Sequence, residues 1–296
     1  MSHLPLSRRA GALTALGVLL FAAPRARAQY PASWNAWNVP VKPFRVVDNI
    51  YYVGATEVSS FLITSPQGHI LLDGGMPATA AQILRNIKAL GFDPRDVKIL
   101  INSHAHADHA GGLAELKKST GAQFVAPAQD SALLANGGHD DFAFGNSYIF
   151  PSVVVDRTVR DGESVHLGNT TLVAHITSGH THGCTTWTTT ANDGGAKRAV
   201  VFTCSYSAPG YKLVNNPAYP NIVEDFRKTF AALKALPCDV LLAPHGGQFK
   251  LLKKMKRAGA SPNPFVDSVE CKAYFDESER AIEAIVRQQQ ASTEKP

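Results

Sequence analysis

The run INSHAHADHAGG, Ile101 to Gly112, places His104, His106, Asp108 and His109 within six residues, directly after the strand-like stretch VKILI. Imidazole and carboxylate are zinc-type ligands. His104 and His106 are two apart, so extended backbone points both rings the same way. The chain must then turn to bring Asp108 and His109 round, and Gly111-Gly112 just beyond permits close backbone approach. Four ligand-type residues in six positions exceed what one tetrahedral ion readily uses. The spacing therefore points to two metals fed by one loop, with further ligands supplied from elsewhere. A mere cluster of surface histidines is the bland alternative. Its place at a strand end, where α/β sites form, speaks against it.

The remaining ligands should also lie at strand ends. His180 ends TLVAHITSGH, and His245 ends CDVLLAPH. The other histidines fit structural places: His175 inside a strand, His69 and His166 in turns or on strand faces, His139 in the loop GGHDDFAFGN. His182 is two residues beyond His180 and reads as pocket lining.

The elements that must position these residues follow from hydropathy period and turn signals. FRVVDNIYYVG and SSFLITSPQGHILLDGG read as hairpin-forming strands, VKILINS and AQFVAPA as short buried strands, and VVVDRTVRDGESVHLGNTTLVAHITSGH as several strands with turns. KRAVVFTCS and CDVLLAPHGG complete the strands. Helices are expected over 78–91, from HAGGLAELKKSTG, from NIVEDFRKTFAALKALP (stopped by Pro237) and over DESERAIEAIVRQQQ. YPASWNAWNVPVKPF reads as an extended arm. Strand runs broken by helices, in two similar halves, indicate one α/β domain of layered sheets and helices.

The first 28 residues stand apart. A basic start with Arg8-Arg9, an apolar run of about 14 residues and Ala26/Ala28 in A-x-A spacing read as a signal peptide cut after Ala28; a membrane span needs about 20. The expected domains are therefore 1–28, a cleaved signal, and 29–296, a single domain, periplasmic or secreted. The signal holds four arginines and no acid, so its removal lowers the formal net charge from +5 to +1. No basic patch then asks for nucleic acid or a membrane surface. Four cysteines remain: Cys184, Cys204, Cys238 and Cys271. An even count in an exported chain suggests two disulfides. Of three possible pairings, chain neighbours give Cys184–Cys204 and Cys238–Cys271. Buried free thiols are the alternative.

ILLDGG (70–75), SHAHADHAGG (103–112), SGHTHGCTTW (178–187) and APHGG (243–247) together resemble, in order and spacing, the metallo-β-lactamase superfamily. The resemblance covers nearly the whole mature chain. It implies an αβ/βα four-layer sandwich with two zinc ions at its edge. Related thioesterases and lactonases share the first histidine motif, but their metals are usually bridged by an acidic residue on the strand matching VVFTCSYSAPGY. That run offers Cys204, Ser205 and Ser207, and no Asp. His109 with the run 205–211 resembles the third subclass of class B β-lactamases, where Ser stands in place of a Cys ligand. Cys204 would then lie one residue off the ligand position and face away, free to pair with Cys184.

Carried over residue by residue, His104, His106 and His180 hold the first zinc, and Asp108, His109 and His245 the second. The implied reaction is hydrolysis of β-lactams (penicillins, cephalosporins, carbapenems) by a monomer. A hydroxide held between the ions attacks, with Asp108 orienting it and no covalent intermediate. Ser205 and Ser207 would donate to the substrate carboxylate, and Trp34, Trp37, Phe144 and Ile149 would wall the cleft. Asp73 resembles a structural Asp supporting the metal loop. An exported lactonase or thioesterase, or a catalytically inactive zinc-binding protein, are the competing readings.

Overall fold

The computed structural model describes residues 30–293, so the expected signal over 1–28 lies outside the described residues. Strands β1 (Phe44–Val47), β2 (Ile50–Tyr52), β3 (Phe61–Ser65) and β4 (Gly68–Leu72) form an antiparallel meander. Parallel strands need a crossover, usually a helix. Accordingly α1 (Ala80–Ala89) leads to β5 (Val97–Ile101). Then α2 (Ala107–Ala110) and α3 (Leu113–Thr120) lead to β6 (Gln123–Pro127), and α4 (Ala128–Ala135) precedes β7 (Arg157–Val159). The result is a seven-stranded sheet in the order β1 to β7, parallel from β4 onward.

The second sheet holds β8 (Ser164–Leu167), β9 (Thr170–Ile176), β10 (Thr185–Asp193), β11 (Ala196–Phe202) and β12 (Val240–Leu242), in the order β12-β11-β10-β9-β8. Helix α5 (Ile222–Ala235) makes the crossover between the one parallel pair, β11 and β12. The short α6 (Leu251–Met255) and the long α7 (Ser268–Thr293) follow.

Strands of the first sheet are buried on both faces, and their period of two sorts them between two cores. Leu62, Leu71, Leu100 and Phe124 meet Ile83 and Ile87 of α1 and Leu113 and Leu116 of α3. Their alternates Ile63, Ile70, Ile101 and Val125 share a core with Leu172, Trp187 and Val200 of the other sheet, and with residues of α5 and α7. This is the expected helix–sheet–sheet–helix sandwich. Trp187 is fully buried at the junction, and its Nε1 donates to the Asn102 carbonyl at 3.0 Å. A buried Trp removes roughly 150–250 Å² from water, worth at most about 4–6 kcal/mol. It thus anchors the end of β5, where the histidine loop begins.

Four local expectations change. The arm is a 3₁₀ helix, Ala32–Asn38, and not extended. Three-residue spacing eclipses side chains in such a helix, so Trp34 and Trp37 stack at 4.9 Å. Helix α4 was not anticipated from AQDSALLA. The segment 153–155 is not a strand. Helix α7 starts at Ser268, eight residues before the expected start. Both disulfides, Cys184–Cys204 and Cys238–Cys271, are present, with Cα separations of 5.8 and 6.1 Å.

Candidate metal centre

Every donor sits just past the end of a strand. After β5 the chain passes Asn102 and Ser103 to His104 and His106, and α2 then carries Asp108 and His109. The turn after β9 carries His180, and His245 opens the 3₁₀ turn Gly246–Phe249 after β12. The turn at 109–112 packs tightly on the segment after β4: Gly74 N donates to the His109 carbonyl at 2.8 Å, and Gly112 N to the Gly75 carbonyl at 3.1 Å. A Cβ on Gly112 would collide with the Gly74 carbonyl oxygen, so this close approach demands glycine.

The structure brings all six expected donors together. Asp108 Oδ2, His109 Nε2 and His245 Nε2 are separated by 3.1, 3.3 and 3.4 Å. A tetrahedral ion with ligands at about 2.0–2.1 Å has donor–donor edges of about 3.3–3.4 Å. The triangle fits one face of such a coordination shell. His106 Nδ1 faces His180 Nε2 at 3.0 Å, and His104, His106 and His180 form a second buried donor group. Facing ring nitrogens at these distances need a proton or a cation between them, so the donor set fits two metal ions sharing one loop.

The second nitrogens of His104 and His180 are hydrogen-bonded, and those of His106 and His109 face carboxylates without a formed hydrogen bond. Ser103 Oγ donates to Asp73 Oδ2 at 2.8 Å and so accepts from His104 Nδ1 at 3.0 Å, which turns Nε2 toward the site. His180 Nδ1 donates to the Ser207 carbonyl at 2.7 Å. His109 Nδ1 lies 3.6 Å from Asp73 Oδ2, and His106 Nε2 lies 3.4 Å from Asp141 Oδ2. Such outer partners fix tautomer and ring orientation. Asp73 does this from a left-handed backbone, φ 63°.

Electrostatics follow from this packing. Burial, helped by the other imidazoles, holds His104 well below its ordinary range and His180 down to about 3. Burial also opposes charge on Asp108, but His109 and His245 outweigh it and keep the carboxylate ionised. Burial likewise opposes protonation of His109, yet Asp108 and Asp73 push it up to about 10. Metal binding at His109 would therefore displace a proton. Neutral imidazole and ionised carboxylate are the ligand forms a metal requires.

Above the donors lies a cleft of about 240 Å³. His106, Asp108, His180 and His245 line it with Trp34, Trp37, Phe144, Tyr148, Ser205, Ser207 and Pro209. Trp34 packs on Tyr148 at 4.9 Å, and the Trp37 ring meets His245 edge-on at 5.3 Å. Ile149 is not among the lining residues; its carbonyl accepts from the Tyr30 hydroxyl at 2.8 Å, and Tyr148 takes the expected place. Strand β11 ends at Phe202, so Ser205 and Ser207 are not on a strand, yet both reach the cleft. A larger cavity of about 510 Å³, lined by Asp48, Thr64, His69 and Thr171 among others, contains none of the six donors.

His182 is not among the residues lining the cleft; its ring lies 3.9 Å from that of Tyr219, tilted by 33°. His175, His139 and His166 are bonded to Thr188, Asn146 and Thr171, and His69 packs edge-on against Phe92. Sequence reasoning missed three supporting residues: Ser103, Asp130 and Asp141. Asp130 is fully buried on α4. It accepts from Ala105 N at 3.1 Å, Thr181 Oγ1 at 2.8 Å and Gly183 N at 2.6 Å, bolting the histidine loop to the His180 turn. For Ser103, its place beside His104 was the available signal. The other two carried none, because their partners lie far along the chain.

No helix among the described residues is long and apolar enough to cross a membrane. Among solved structures, the chain is similar to a Cronobacter sakazakii metallo-beta-lactamase, with 44% identity, a TM-score of 0.84 and coverage of 88% of this chain and 100% of that one. That protein is described by a HARLDQ motif; the corresponding run here, 104–109, reads HAHADH. The subclass B3 enzyme BJP-1 of Bradyrhizobium japonicum is similar at 41% identity and TM-score 0.83, covering 88% of this chain and 100% of that one. Among curated relatives, the N-acyl homoserine lactonase AttM of Agrobacterium fabrum is 36% identical over 85 residues, 21% of this chain and 32% of that protein's length. The matched part is thus about a third of that relative. A family model described as the metallo-beta-lactamase superfamily matches residues 53–245. All six donors fall inside that span, and the chain belongs to the metallo-beta-lactamase superfamily.

Proposed function

We propose that this chain is an exported dizinc hydrolase that opens the β-lactam ring, with residues 29–296 forming one catalytic domain. His104, His106 and His180 would hold the first zinc, and Asp108, His109 and His245 the second. The observation that carries the reading is the composition of the cleft: one carboxylate, Asp108, two serines and an aromatic wall line it together with His106, His180 and His245, donors drawn from both proposed triads. Similarity over their whole length to the Cronobacter sakazakii metallo-beta-lactamase and to the subclass B3 enzyme BJP-1 supports the same reading. The two disulfides agree with an oxidising, periplasmic or extracellular location.

Zinc held there would supply a water of lowered pKa and a Lewis acid for the carbonyl and the departing nitrogen. The protein's own groups do the rest. Asp108, held ionised by His109 and His245, orients the attacking water and takes part of its proton's hydrogen bonding. Three protein donors per ion would leave positions for water and substrate. Ser205 and Ser207 donate hydrogen bonds to the substrate carboxylate. Trp34, Trp37, Phe144 and Tyr148 pack on its apolar substituents and exclude bulk water.

The test is turnover of a penicillin, a cephalosporin and a carbapenem by purified protein from Gln29 onward, with zinc counted by mass spectrometry. Chelator-sensitive hydrolysis with about two zinc ions per chain is expected. The short match to a lactonase makes lactone hydrolysis the second reading. Two bound zinc ions with lactone but no β-lactam turnover would replace the first reading with the second.

A further inference from the structure

The carboxylate of Asp141 faces two ways. Its Oδ1 accepts from the backbone N–H groups of Ala143 and Phe144, at 2.7 and 2.8 Å. Asp141 N and Gly145 N exchange hydrogen bonds with each other's carbonyls, closing the turn. Its Oδ2 lies 3.4 Å from His106 Nε2, with both side chains less than a tenth exposed. Those two atoms are sealed from solvent and have no hydrogen-bond partner: their 3.4 Å separation is a close polar contact, and each is the nearest group able to satisfy the other. The turn that Asp141 closes presents Phe144, whose ring packs edge-on to His106 at 5.2 Å and to Tyr148 at 5.1 Å.

We infer that Asp141 is a positioning residue that ties the metal ligand His106 to the aromatic wall of the cleft. This rests on the proposed metal assignment but not on the substrate. The carboxylate beside Nε2 favours the tautomer of the neutral His106 ring that carries its proton there, which leaves Nδ1, 3.0 Å from His180 Nε2, free to accept a metal. The same carboxylate fixes the turn that carries Phe144. Metal binding and the order of that turn are therefore coupled through one side chain. Coupling of this kind is reciprocal.

The Asp141→Asn and Asp141→Ala variants separate the two roles. In the Asn variant the amide oxygen still accepts from Ala143 and Phe144, while its NH₂ confronts His106 Nε2–H. The imidazole then either loses that partner or moves its proton to Nδ1, where it opposes metal. The Ala variant loses both functions.

Zinc affinity is read by chelator competition on metal-stripped protein, and the turn by hydrogen exchange of the Ala143 and Phe144 amides. Expected in the Asn variant is a 10- to 100-fold loss of affinity for one of the two ions, roughly the cost of removing an outer partner. Amide protection should persist in the Asn variant and vanish in the Ala variant. In the wild type, zinc should slow exchange at both amides; in the Asn variant it should not. Zinc affinity within about twofold of wild type in the Asn variant would overturn the inference. So would equal loss of amide protection in both variants, which would leave Asp141 a loop brace. Zinc is the only probe, so failure of β-lactam turnover would refute the proposed function and leave these readouts intact.

Discussion

Asp130 offers the sharpest test of how the donor loops are held. Three buried donors converge on its carboxylate: Ala105 N between two ligand histidines, and Thr181 Oγ1 and Gly183 N just after His180. Replacing Asp130 by Ala orphans all three. Each buried donor left unpaired costs about 1–3 kcal/mol, so the ceiling is roughly 3–9 kcal/mol. Part of this returns, because a buried carboxylate with no cationic partner is itself expensive to desolvate. A net loss of about 3–5 kcal/mol is expected, or roughly 6–20 °C in Tm at about 2–4 °C per kcal/mol.

Asp130→Asn is the informative contrast. Its oxygen can serve Gly183 N. Its NH₂ can donate to Thr181 Oγ1, which acts as donor or acceptor. Only Ala105 N then loses its partner, so the Asn variant should cost about 1–3 kcal/mol, less than the Ala variant. Urea unfolding of metal-stripped protein measures both without interference from zinc. A loss below about 1 kcal/mol in the Ala variant, or equal losses in the two, would refute the three-donor account.

Other perturbations probe separate links. Ser207→Ala should raise KM for β-lactams more than it lowers kcat, as expected for loss of binding shared by ground and transition states; unchanged kinetics would remove Ser207 from substrate recognition. Replacing Cys238 and Cys271 together by Ser frees a loop of 33 residues and should lower stability by about 3–4 kcal/mol in the chain-entropy description, seen as a lower urea midpoint. Gly183→Ala would set a Cβ 2.6 Å from Asp130 Cγ. It should weaken zinc binding and stability together, and a variant with unaltered chelator competition would show that the Asp130 clamp does not govern the site.

The donors were legible because their signal is local. Three histidines and an aspartate within one loop, following an apolar strand, can be read without knowing what lies opposite. His180 and His245 were legible for a related reason: each follows closely on the end of a strand, and strand ends on one edge of a sandwich meet. Asp130 and Asp141 had no such signal. Asp130 reaches backbone groups 25 and 53 residues away, and one aspartate in the first turn of a helix looks like any other. Asp141 lies in a run that reads as polar surface loop, and its burial exists only once that loop folds over His106.

The aromatic wall shows the limit most clearly. Both Trp34 and Trp37 reach the cleft because three-residue spacing in a 3₁₀ helix does for them what extended backbone would not. Tyr148 displaces Ile149 through a difference of one residue. That difference is set upstream by the turn closed at Asp141 and Gly145 and by the Tyr30 hydroxyl holding the Ile149 carbonyl. Residue type and spacing thus reveal which groups carry the chemistry. The hydrogen bonds that aim those groups are made across the chain, often to backbone, and they emerge only from the packed molecule.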